Sequence, residues 1–426
     1  QMLQVEIITA ETQRLQISFD SPATAVVRDH AEFRGFWDHL SRCQGFEASE
    51  DQGTVLGFSL PLVEWMGSVR EFFPEQDSFQ QVIFEKFLAL DIVPASKQME
   101  INFHQRQFDS PERSWLFILN QGHFFQYVLN RIYWHLGPKH GLVSPFPLHV
   151  DIETANTCNM NCPMCFHDKM ESVGQMDFEL FKKLIDECER EHVFSVRLSW
   201  RGEPLTHPRI KEFIAYATAR IPNVSFLTNA FFLEDAVLDC IIENGLSYLA
   251  VSFDGVEQAY EKIRRPAVFA ESRQRLANLR TKREAAGTTL PQVRVCTIWP
   301  AIKHDPDQYC RLMAPVSDYM VYNPYIDFFG EMHIKDGFVC QYPWERIMVA
   351  WNGEVQCCTG WNAKDIVLGN AAEGSIKEFW LSERLDVIRE LHATGRRMEL
   401  KGCAECRHGC ECDPTIELDT ILERAK

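Results

Sequence analysis

The residues with the most evident chemistry are three cysteines in one short segment. The run CNMNCPMC at residues 158–165 contains Cys158, Cys162 and Cys165, separated by three and then two other residues. Three thiolates from one loop can hold three irons of a 4Fe–4S cluster, which normally takes four cysteines, so the fourth iron stays open to another ligand. The alternatives are a structural zinc knuckle, which usually has four protein ligands, and three unrelated cysteines.

A second group of cysteines lies between residues 340 and 412. Its members are Cys340, Cys357, Cys358, Cys403, Cys406, Cys410 and Cys412. Clustered cysteines in a chain with no visible secretory signal indicate metal binding and not disulfides. A hairpin turned at Asn352-Gly353, followed by helical segments and the pair Cys403 and Cys406, can form a cage of four thiolates. A structural zinc ion is the alternative occupant of this cage.

The elements that must position the first cysteine loop follow an alternating pattern. Strands are predicted at 148–153, 193–199, 224–227, 248–253, 292–298 and 319–322, and helices at 177–191, 208–221, 234–244, 256–263, 270–286 and 306–314. Six strand-then-helix units predict an α/β fold, a partial (βα)6 TIM-like barrel with its helices outside. The active site of such a barrel lies at the carboxyl ends of the strands, and the cysteine loop follows the first strand directly.

Polar residues follow the later strands of the predicted barrel. The segment Trp200-Arg201-Gly202-Glu203-Pro204-Leu205 follows the second strand, and Thr228-Asn229 ends the third. A carboxylate among free carbonyls suits an ammonium group. Ser252 and Asp254 end the fourth strand two residues apart, so their side chains point to the same side. Alternatively, these two residues cap the helix that follows.

The CNMNCPMC run resembles the motif of the radical S-adenosylmethionine (SAM) superfamily, with Met164 at its hydrophobic position. The resemblance implies a cluster whose open iron chelates SAM, and reductive cleavage of SAM to a 5′-deoxyadenosyl radical. The protein's own part is then binding and orientation. The positions to which the resemblance assigns SAM binding are Met164, Gly202, Glu203, Thr228, Asn229, Ser252, Asp254 and Arg264. Among these, Gly202-Glu203 would contact the amino group and Ser252 with Asp254 the ribose. Arg264, or its neighbour Arg265, would contact the carboxylate.

The later cysteines resemble the SPASM/twitch extension of that superfamily, which holds auxiliary 4Fe–4S clusters. The resemblance implies one auxiliary cluster bound by Cys340, Cys358, Cys403 and Cys406, with Cys357 as an alternative to Cys358. A two-cluster SPASM domain has a further cysteine where this chain has Ile416, and none follows. Cys410 and Cys412 are therefore left over.

Three domains are expected from the length and the change of pattern along the chain. Residues 1–145 are predicted to form an α+β domain with strands at 5–8 and 15–19 and helices at 80–90 and 114–136; a linker is predicted at 137–147. Residues 146–335 form the predicted barrel, and residues 336–426 the small C-terminal iron–sulfur domain. The first domain is either a recognition domain or a structural cap.

The charge of the chain restricts its partners. Sixty acidic and 43 basic residues give a net charge of −17, which argues against binding to nucleic acid or to an anionic membrane surface. We see no signal peptide or spanning segment and expect a cytoplasmic protein. The expected partners are a small-molecule substrate or peptide and an external one-electron reductant of the flavodoxin or ferredoxin type; the oligomeric state is open.

The family resemblance implies hydrogen-atom abstraction but leaves the substrate open. Our first expectation is epimerisation or two-electron oxidation of a small polar metabolite, such as a sugar, a cyclitol or an amino-acid-like compound. Modification of a ribosomally synthesised peptide is the alternative. A non-catalytic iron–sulfur electron carrier is disfavoured, because a carrier needs no SAM-binding residues. If the reaction is an epimerisation, the candidate hydrogen donors are the thiols of Cys296, Cys357, Cys410 and Cys412.

Overall fold

The computed structural model describes residues 2–9, 12–20, 25–51, 55–90, 106–107, 109–170, 172–328, 330–335, 337–360 and 366–424. The strands are β1 (Leu3–Thr9), β2 (Gln13–Asp20), β3 (Glu47–Asp51), β4 (Val55–Pro61), β5 (Arg106–Gln107), β6 (His149–Ile152), β7 (Ser195–Arg197), β8 (Asn223–Thr228), β9 (Tyr248–Ser252), β10 (Gln292–Ile298), β11 (Tyr319–Asn323), β12 (Arg346–Val349), β13 (Glu354–Gln356) and β14 (Val367–Asn370).

The α-helices that connect and cover these strands vary from one turn to nearly five. They are α1 (Ala25–Asp29), α2 (Ala31–Leu40), α3 (Leu62–Phe72), α4 (Asp77–Leu88), α5 (Pro111–Leu119), α6 (Phe124–His140), α7 (Phe178–Arg190), α8 (Ile210–Thr218), α9 (Asp235–Glu243), α10 (Glu257–Ile263), α11 (Phe269–Ala285), α12 (Pro306–Met313), α13 (Tyr342–Glu345), α14 (Ile376–Trp380), α15 (Glu383–Ala393), α16 (Lys401–Ala404) and α17 (Leu418–Arg424).

The N-terminal part is an antiparallel sheet with helices packed on one face. Its strand order is β1-β2-β4-β3, and the strands expected at 5–8 and 15–19 lie within β1 and β2. Leu15, Ile17 and Phe19 alternate along β2 and are all buried. The ring of Phe19 meets Phe36 of α2 and Trp115 of α5 edge to face, at centroid distances of 6.2 and 5.6 Å. These aromatic contacts form the core of this part.

Two local expectations in this part are wrong. The helix predicted at 114–136 is two helices, α5 and α6, because Gly122 and His123 adopt positive φ angles of 75° and 58° and turn the chain between them. The linker predicted at 137–147 begins as helix, since α6 continues through Pro138 to His140. A proline near a helix end removes only one late hydrogen bond, and Gly141 then ends α6 in the left-handed conformation.

The predicted barrel is confirmed. Strands β6 to β11 pair in chain order and all in parallel within one ten-stranded sheet. The six predicted helices are present as α7 to α12, at positions that differ from the predicted ones only near the ends. Two of them, α10 and α11, follow β9, and none of them follows β11, so the expected sixth strand-then-helix unit lacks its predicted helix. The outer face of the strands is buried against α7 to α12 in one hydrophobic cluster, to which Val150, Phe226 and Val295 belong. The carboxyl ends of all six strands therefore form one mouth.

The C-terminal segment continues the same sheet. β12 pairs in parallel with β6, and β13 and β14 follow as antiparallel neighbours. The predicted hairpin is present, and Gly353 at its turn has a φ of 85°. At the other edge β5 pairs with β11. The division of the chain into domains at residues 145 and 335 stays a prediction.

The N-terminal helices close the end of the barrel opposite the mouth. The Trp134 ring of α6 lies edge-on to His149, the first residue of β6, with centroids 6.4 Å apart. Phe117 of α5 packs in the same way on Tyr248, the first residue of β9, at 5.6 Å. Among all described residues, no helix combines the length and the apolar character needed to span a bilayer.

A buried ion network lies inside the barrel between this closed end and the mouth. Asp151 of β6 is fully buried and pairs with Arg197 of β7 at 2.6 Å and with Arg346 of β12 at 3.3 Å. Burial by itself raises the pKa of Asp151, but the two arginines and the neighbouring His149 together lower it below its usual value. The network joins three strands from distant parts of the chain.

Candidate active site

The mouth of the barrel contains a cavity of about 300 Å³, which we call the mouth cavity. It brings together the three cysteines of the first loop and every residue that the sequence assigned to SAM binding. The members of this set are Cys158, Cys162, Cys165, Met164, Gly202, Glu203, Thr228, Asn229, Ser252, Asp254 and Arg264. They come from loops after four different strands and from the end of α10. Their convergence follows from the parallel arrangement of the strands.

The cysteine loop is half-buried and held at two points. The Cys165 N–H donates to the Cys162 carbonyl, and the Asn161 N–H donates to the Arg265 carbonyl, each at 3.0 Å. Burial raises the pKa of Cys158 to about 11 and also raises that of Cys162. The Arg264 guanidinium, which donates to Cys162 Sγ at 3.7 Å, opposes this rise. Binding to a metal is the way such buried thiols become thiolates.

Glu203 ties the loop after β7 to the end of β8. Its Oε1 accepts from the Thr228 hydroxyl at 2.7 Å and from the Leu205 N–H at 3.1 Å, and its Oε2 accepts from the Asn229 N–H at 2.7 Å. Burial raises the pKa of Glu203 to about 7, although all three donors favour the ionised form. The carboxylate is therefore held in one orientation at the wall of the cavity.

Asp254 and Arg264 form an ion pair with each other in the mouth cavity. The other carboxylate oxygen of Asp254 accepts from the Ile298 N–H at 2.9 Å. The alternative in which Ser252 and Asp254 cap the next helix is wrong, because the N-cap of α10 is Val256 and no side chain caps it. The two arginines that are candidates for binding the SAM carboxylate lie in different places. Arg265 is exposed and donates to the Lys262 carbonyl, while Arg264 lines the cavity.

A second cavity lies among the later cysteines and is called the C-terminal cavity. The cysteines that line it are Cys340, Cys357, Cys358, Cys403 and Cys406. Cys357 is 1% exposed and packs into the hydrophobic core, whereas Cys358 is less buried and its Sγ accepts from the Gly360 N–H at 3.3 Å. The exposure and the hydrogen bond favour Cys358 over Cys357 as a ligand.

Comparison with protein families agrees with these two sites. The model of the radical SAM superfamily matches residues 152–293, and the model of the SPASM iron–sulfur cluster-binding domain matches residues 340–411. The chain therefore contains a radical SAM domain followed by a SPASM domain. These two domains imply SAM, a 4Fe–4S cluster and auxiliary iron–sulfur clusters as cofactors.

Individual relatives are distant. The tungsten-containing aldehyde ferredoxin oxidoreductase cofactor-modifying protein of Pyrococcus furiosus is 23% identical over 323 residues, which are 63% of this chain and 90% of that protein. The mycofactocin maturase of Mycobacterium ulcerans is 29% identical over 143 residues, 33% of this chain and 38% of the relative. The crystal structure of BtrN in complex with AdoMet and 2-DOIA superposes with a TM-score of 0.43 and 20% identity, over 60% of this chain and 90% of BtrN.

The residues of the radical SAM domain fit the cofactors of the family. Two buried N–H groups beside the cysteine loop, Asn159 Nδ2 and Arg264 Nε, have no hydrogen-bond partner among the described residues, and each needs an acceptor. No three His, Cys, Asp or Glu side chains of the described segments converge closely enough to hold a single metal ion. In a 4Fe–4S cluster each thiolate binds its own iron, so the three cysteines need not meet at one ion.

The four cysteines that are candidate hydrogen-atom donors lie in different parts of the structure. Cys296 of β10 lines the mouth cavity, and burial raises its pKa. Cys357 lies in the C-terminal cavity, and Cys410 and Cys412 line neither of the two cavities. Cys410 instead forms an isolated β-bridge with Ile334. Only Cys296 among the four shares a cavity with the cysteine loop.

Sequence reasoning missed the Arg201 site in the mouth cavity. The Arg201 guanidinium donates from Nε and Nη2 to the two carboxylate oxygens of Glu153, at 2.7 and 2.6 Å, and lies 3.9 Å from the Trp200 ring. Glu153 is fully buried and also accepts from the Trp351 N–H of the β12–β13 turn. The available signal was a charged residue soon after each of the first two barrel strands: Glu153 directly follows β6, and Arg201 lies four residues after the end of β7.

An aromatic contact chain joins the two cavities. Phe328 lines both of them. Its ring meets Phe166, next to the last cysteine of the first loop, at 5.1 Å and His408, two residues after Cys406, at 6.2 Å. The Trp200 indole N–H also donates to the Thr359 carbonyl, beside Cys358, at 3.3 Å. The two sites are therefore neighbours separated by one layer of side chains.

Proposed function

We propose that this radical SAM enzyme abstracts a hydrogen atom from a small polar metabolite, such as a sugar, a cyclitol or an amino acid, and so epimerises or oxidises it. When bound, the cluster and SAM supply the 5′-deoxyadenosyl radical that performs the abstraction. The observation that carries the proposal is the wall of hydrogen-bonding side chains in the mouth cavity, formed by Arg201, His167 and Asn323, beside the SAM-directed groups. SAM occupies part of this cavity, and the hydrogen-bonding groups of the remaining wall suit a small polar molecule.

Arg201 is our candidate for orienting the substrate. Its double hydrogen bond to Glu153 and its stacking on Trp200 hold the guanidinium in one plane. The third nitrogen, Nη1, has no bonded partner among the described residues, so it is available to a substrate oxygen. Because the ion pair with Glu153 neutralises the charge, we expect a hydroxyl, carbonyl or carboxylate group there and not a polyphosphate.

The division of labour among the other residues is also a proposal. Cys158, Cys162 and Cys165 hold the SAM-binding cluster, and the remaining acceptor capacity of Glu203 faces the SAM amino group. Arg264 is paired with Asp254. The pair would therefore bind SAM as one unit, with the Asp254 carboxylate as hydrogen-bond acceptor and the Arg264 guanidinium as donor. One auxiliary cluster is held by Cys340, Cys358, Cys403 and Cys406, and an external flavodoxin or ferredoxin supplies the electron.

Iron content and SAM cleavage test the proposal. Anaerobically reconstituted protein should hold about eight irons, four for each of two 4Fe–4S clusters. Cys158→Ala should abolish formation of 5′-deoxyadenosine, while Cys310→Ala, a half-buried cysteine that lines neither cavity, should preserve it. Continued cleavage by the Cys158 variant would refute the site, and an iron content of about four in the wild type would refute the auxiliary cluster.

The two reactions differ in the fate of hydrogen. Epimerisation in deuterated water introduces one deuterium into the product, whereas oxidation removes two hydrogens. If Cys296 is the donor, Cys296→Ser should stop deuterium incorporation while SAM cleavage continues, because the O–H bond of serine is too strong to quench a carbon radical. Cys310→Ser is the matched control. Equal deuterium incorporation in both variants would exclude Cys296 as the donor.

Peptide modification is the second candidate. Its support is that the mycofactocin maturase of Mycobacterium ulcerans and the PqqA peptide cyclase of Rhodopseudomonas palustris are 29% and 28% identical to parts of this chain. SAM cleavage measured with panels of small metabolites and of short peptides separates the candidates. Stimulation by a peptide alone would replace our first proposal. An electron carrier without enzymatic activity would form no 5′-deoxyadenosine with either panel.

A further inference from the structure

His392 of α15 connects two cysteines of the C-terminal cavity. Its side chain is buried and lines that cavity. The Cys340 N–H lies 3.3 Å from Nδ1 of His392, and Cys403 Sγ lies 3.4 Å from Nε2. The ring thus spans the gap between the first and the third proposed ligand of the auxiliary cluster.

The hydrogen bonds determine which ring nitrogen carries the proton. A backbone N–H can only donate, so Nδ1 must accept from Cys340 and is unprotonated. The proton of the neutral ring is therefore on Nε2, the atom that faces Cys403 Sγ. The N–H group at Nε2 has the cysteine sulfur as its acceptor.

We propose that His392 is a positioning residue that donates this hydrogen bond to the Cys403 thiolate and thereby raises the reduction potential of the auxiliary cluster. The inference rests on the auxiliary cluster of the proposed function. A donor to a ligand sulfur stabilises the extra negative charge of the reduced cluster more than that of the oxidised one. The effect is strong here because the bond is buried, away from water.

The surroundings of His392 keep this donor in place. Arg397 lines the same cavity and donates to the Cys403 carbonyl at 2.7 Å, which fixes the backbone of the ligand. The Arg397 guanidinium stacks over Phe338, 5.0 Å from the ring centre, so it is held by two contacts. Backbone groups also donate to ligand sulfurs of this cavity: the Gly360 N–H reaches Cys358 Sγ at 3.3 Å, and the Tyr342 backbone bonds to Cys340. His392 is therefore the side chain whose replacement changes the sulfur environment.

The test is an anaerobic redox titration followed by electron paramagnetic resonance on the reconstituted full chain. His392→Leu and His392→Phe remove the donor, and His392→Gln retains an N–H that can reach the sulfur. Both donor-free variants should lower the reduction potential of the auxiliary cluster by about 59 mV. For a one-electron couple this shift changes the ratio of reduced to oxidised cluster about tenfold. His392→Gln should recover most of the shift. The SAM-binding cluster of the same protein should not move and serves as the internal control.

The outcomes separate this inference from the function it rests on. A wild type with about four irons removes the auxiliary cluster, and the inference falls with it while the proposed SAM-binding site stands. Full iron content with an unchanged auxiliary potential in both donor-free variants overturns only the role of His392. Two other outcomes also overturn the role of His392. Equal shifts in the potentials of both clusters would mean that the residue acts on folding. Loss of iron in His392→Gln as well as in the donor-free variants would mean that the residue acts on folding or is itself a ligand.

Discussion

Replacement of Gly202 by alanine tests whether the loop after β7 must touch the cysteine loop. A Cβ added to Gly202 would lie 2.4 Å from the Asn156 carbonyl carbon, 2.5 Å from its Cα and 2.6 Å from the Thr157 carbonyl oxygen. Non-bonded carbon atoms are normally about 3.5–4.0 Å apart, so the backbones must separate by about 1 Å. The atoms in the way are backbone, and no side-chain rotation can relieve the clash.

Two effects of Gly202→Ala follow from this geometry. Overpacking of this kind lowers the free energy of unfolding by about 1–3 kcal/mol. The separation would also break the hydrogen bond from the Glu203 N–H to the Thr157 carbonyl, which is 2.8 Å long and adjoins Cys158. A displacement of about 1 Å at a reacting centre lowers the rate about 100-fold, and we expect that loss in 5′-deoxyadenosine formation.

The assay compares Gly202→Ala with Gly35→Ala. Gly35 is exposed in the middle of α2, and nothing lies within 4 Å of its added Cβ. Alanine there should stabilise the protein by about 0.5–1 kcal/mol through helix preference and leave SAM cleavage unchanged. Urea denaturation and the rate of 5′-deoxyadenosine formation are measured for both variants. Gly202→Ala with wild-type stability and a rate within about twofold of wild type would refute the close packing of the two loops.

Three further changes address the C-terminal cavity and the barrel interior. Cys358→Ser should reduce the iron content from about eight to about four, whereas Cys357→Ser should retain about eight because Cys357 belongs to the core; equal losses would contradict this assignment. Burial raises the pKa of Glu345 to about 8, so the folded protein holds this proton more tightly than the unfolded chain does. The resulting stability is present below the unfolded pKa of about 4.5 and is lost as the pH rises through about 8. Glu345→Gln should therefore make the free energy of unfolding, measured by urea denaturation, less dependent on pH between about pH 6 and pH 8. Asp151→Asn should lower the free energy of unfolding by about 3–5 kcal/mol, because Arg197 keeps its charge without an anionic partner, and a loss below about 1 kcal/mol would contradict the buried network.

The barrel was predictable because its signals are local. Five of the six strands are short apolar runs followed by a helix, and the cysteine loop and the Glu203 loop come after strands whose carboxyl ends share one edge. Convergence of these residues in the mouth cavity therefore follows from the order of elements alone. The break between α5 and α6 was harder, because aromatic residues continue at helical spacing across Gly122 and only the backbone conformation there separates the helices.

Side-chain pairing across distant segments was not predictable in this way. The contacts of Glu153 with Arg201 and of Asp254 with Arg264 depend on how neighbouring loops meet, which no periodicity records. The choice between Cys357 and Cys358 also has no clear signal in the sequence. Both follow β13, where the register shifts between Val355 and Gln356 and both of these residues are buried, so strand alternation does not separate the two cysteines.

The pairing of β6 with β12 imposes an order on the biosynthesis of this protein. Asp151 and its partner Arg346 are 195 residues apart, so at typical translation speeds roughly 10–40 s separate the synthesis of the two strands. During that interval the nascent chain carries an open strand edge, and such edges pair readily with other chains. The strand involved leads directly into the three thiols that await iron. The edge of β6 is therefore covered only once β12 has left the ribosome, and a fragment that ends at residue 335 retains the open edge permanently.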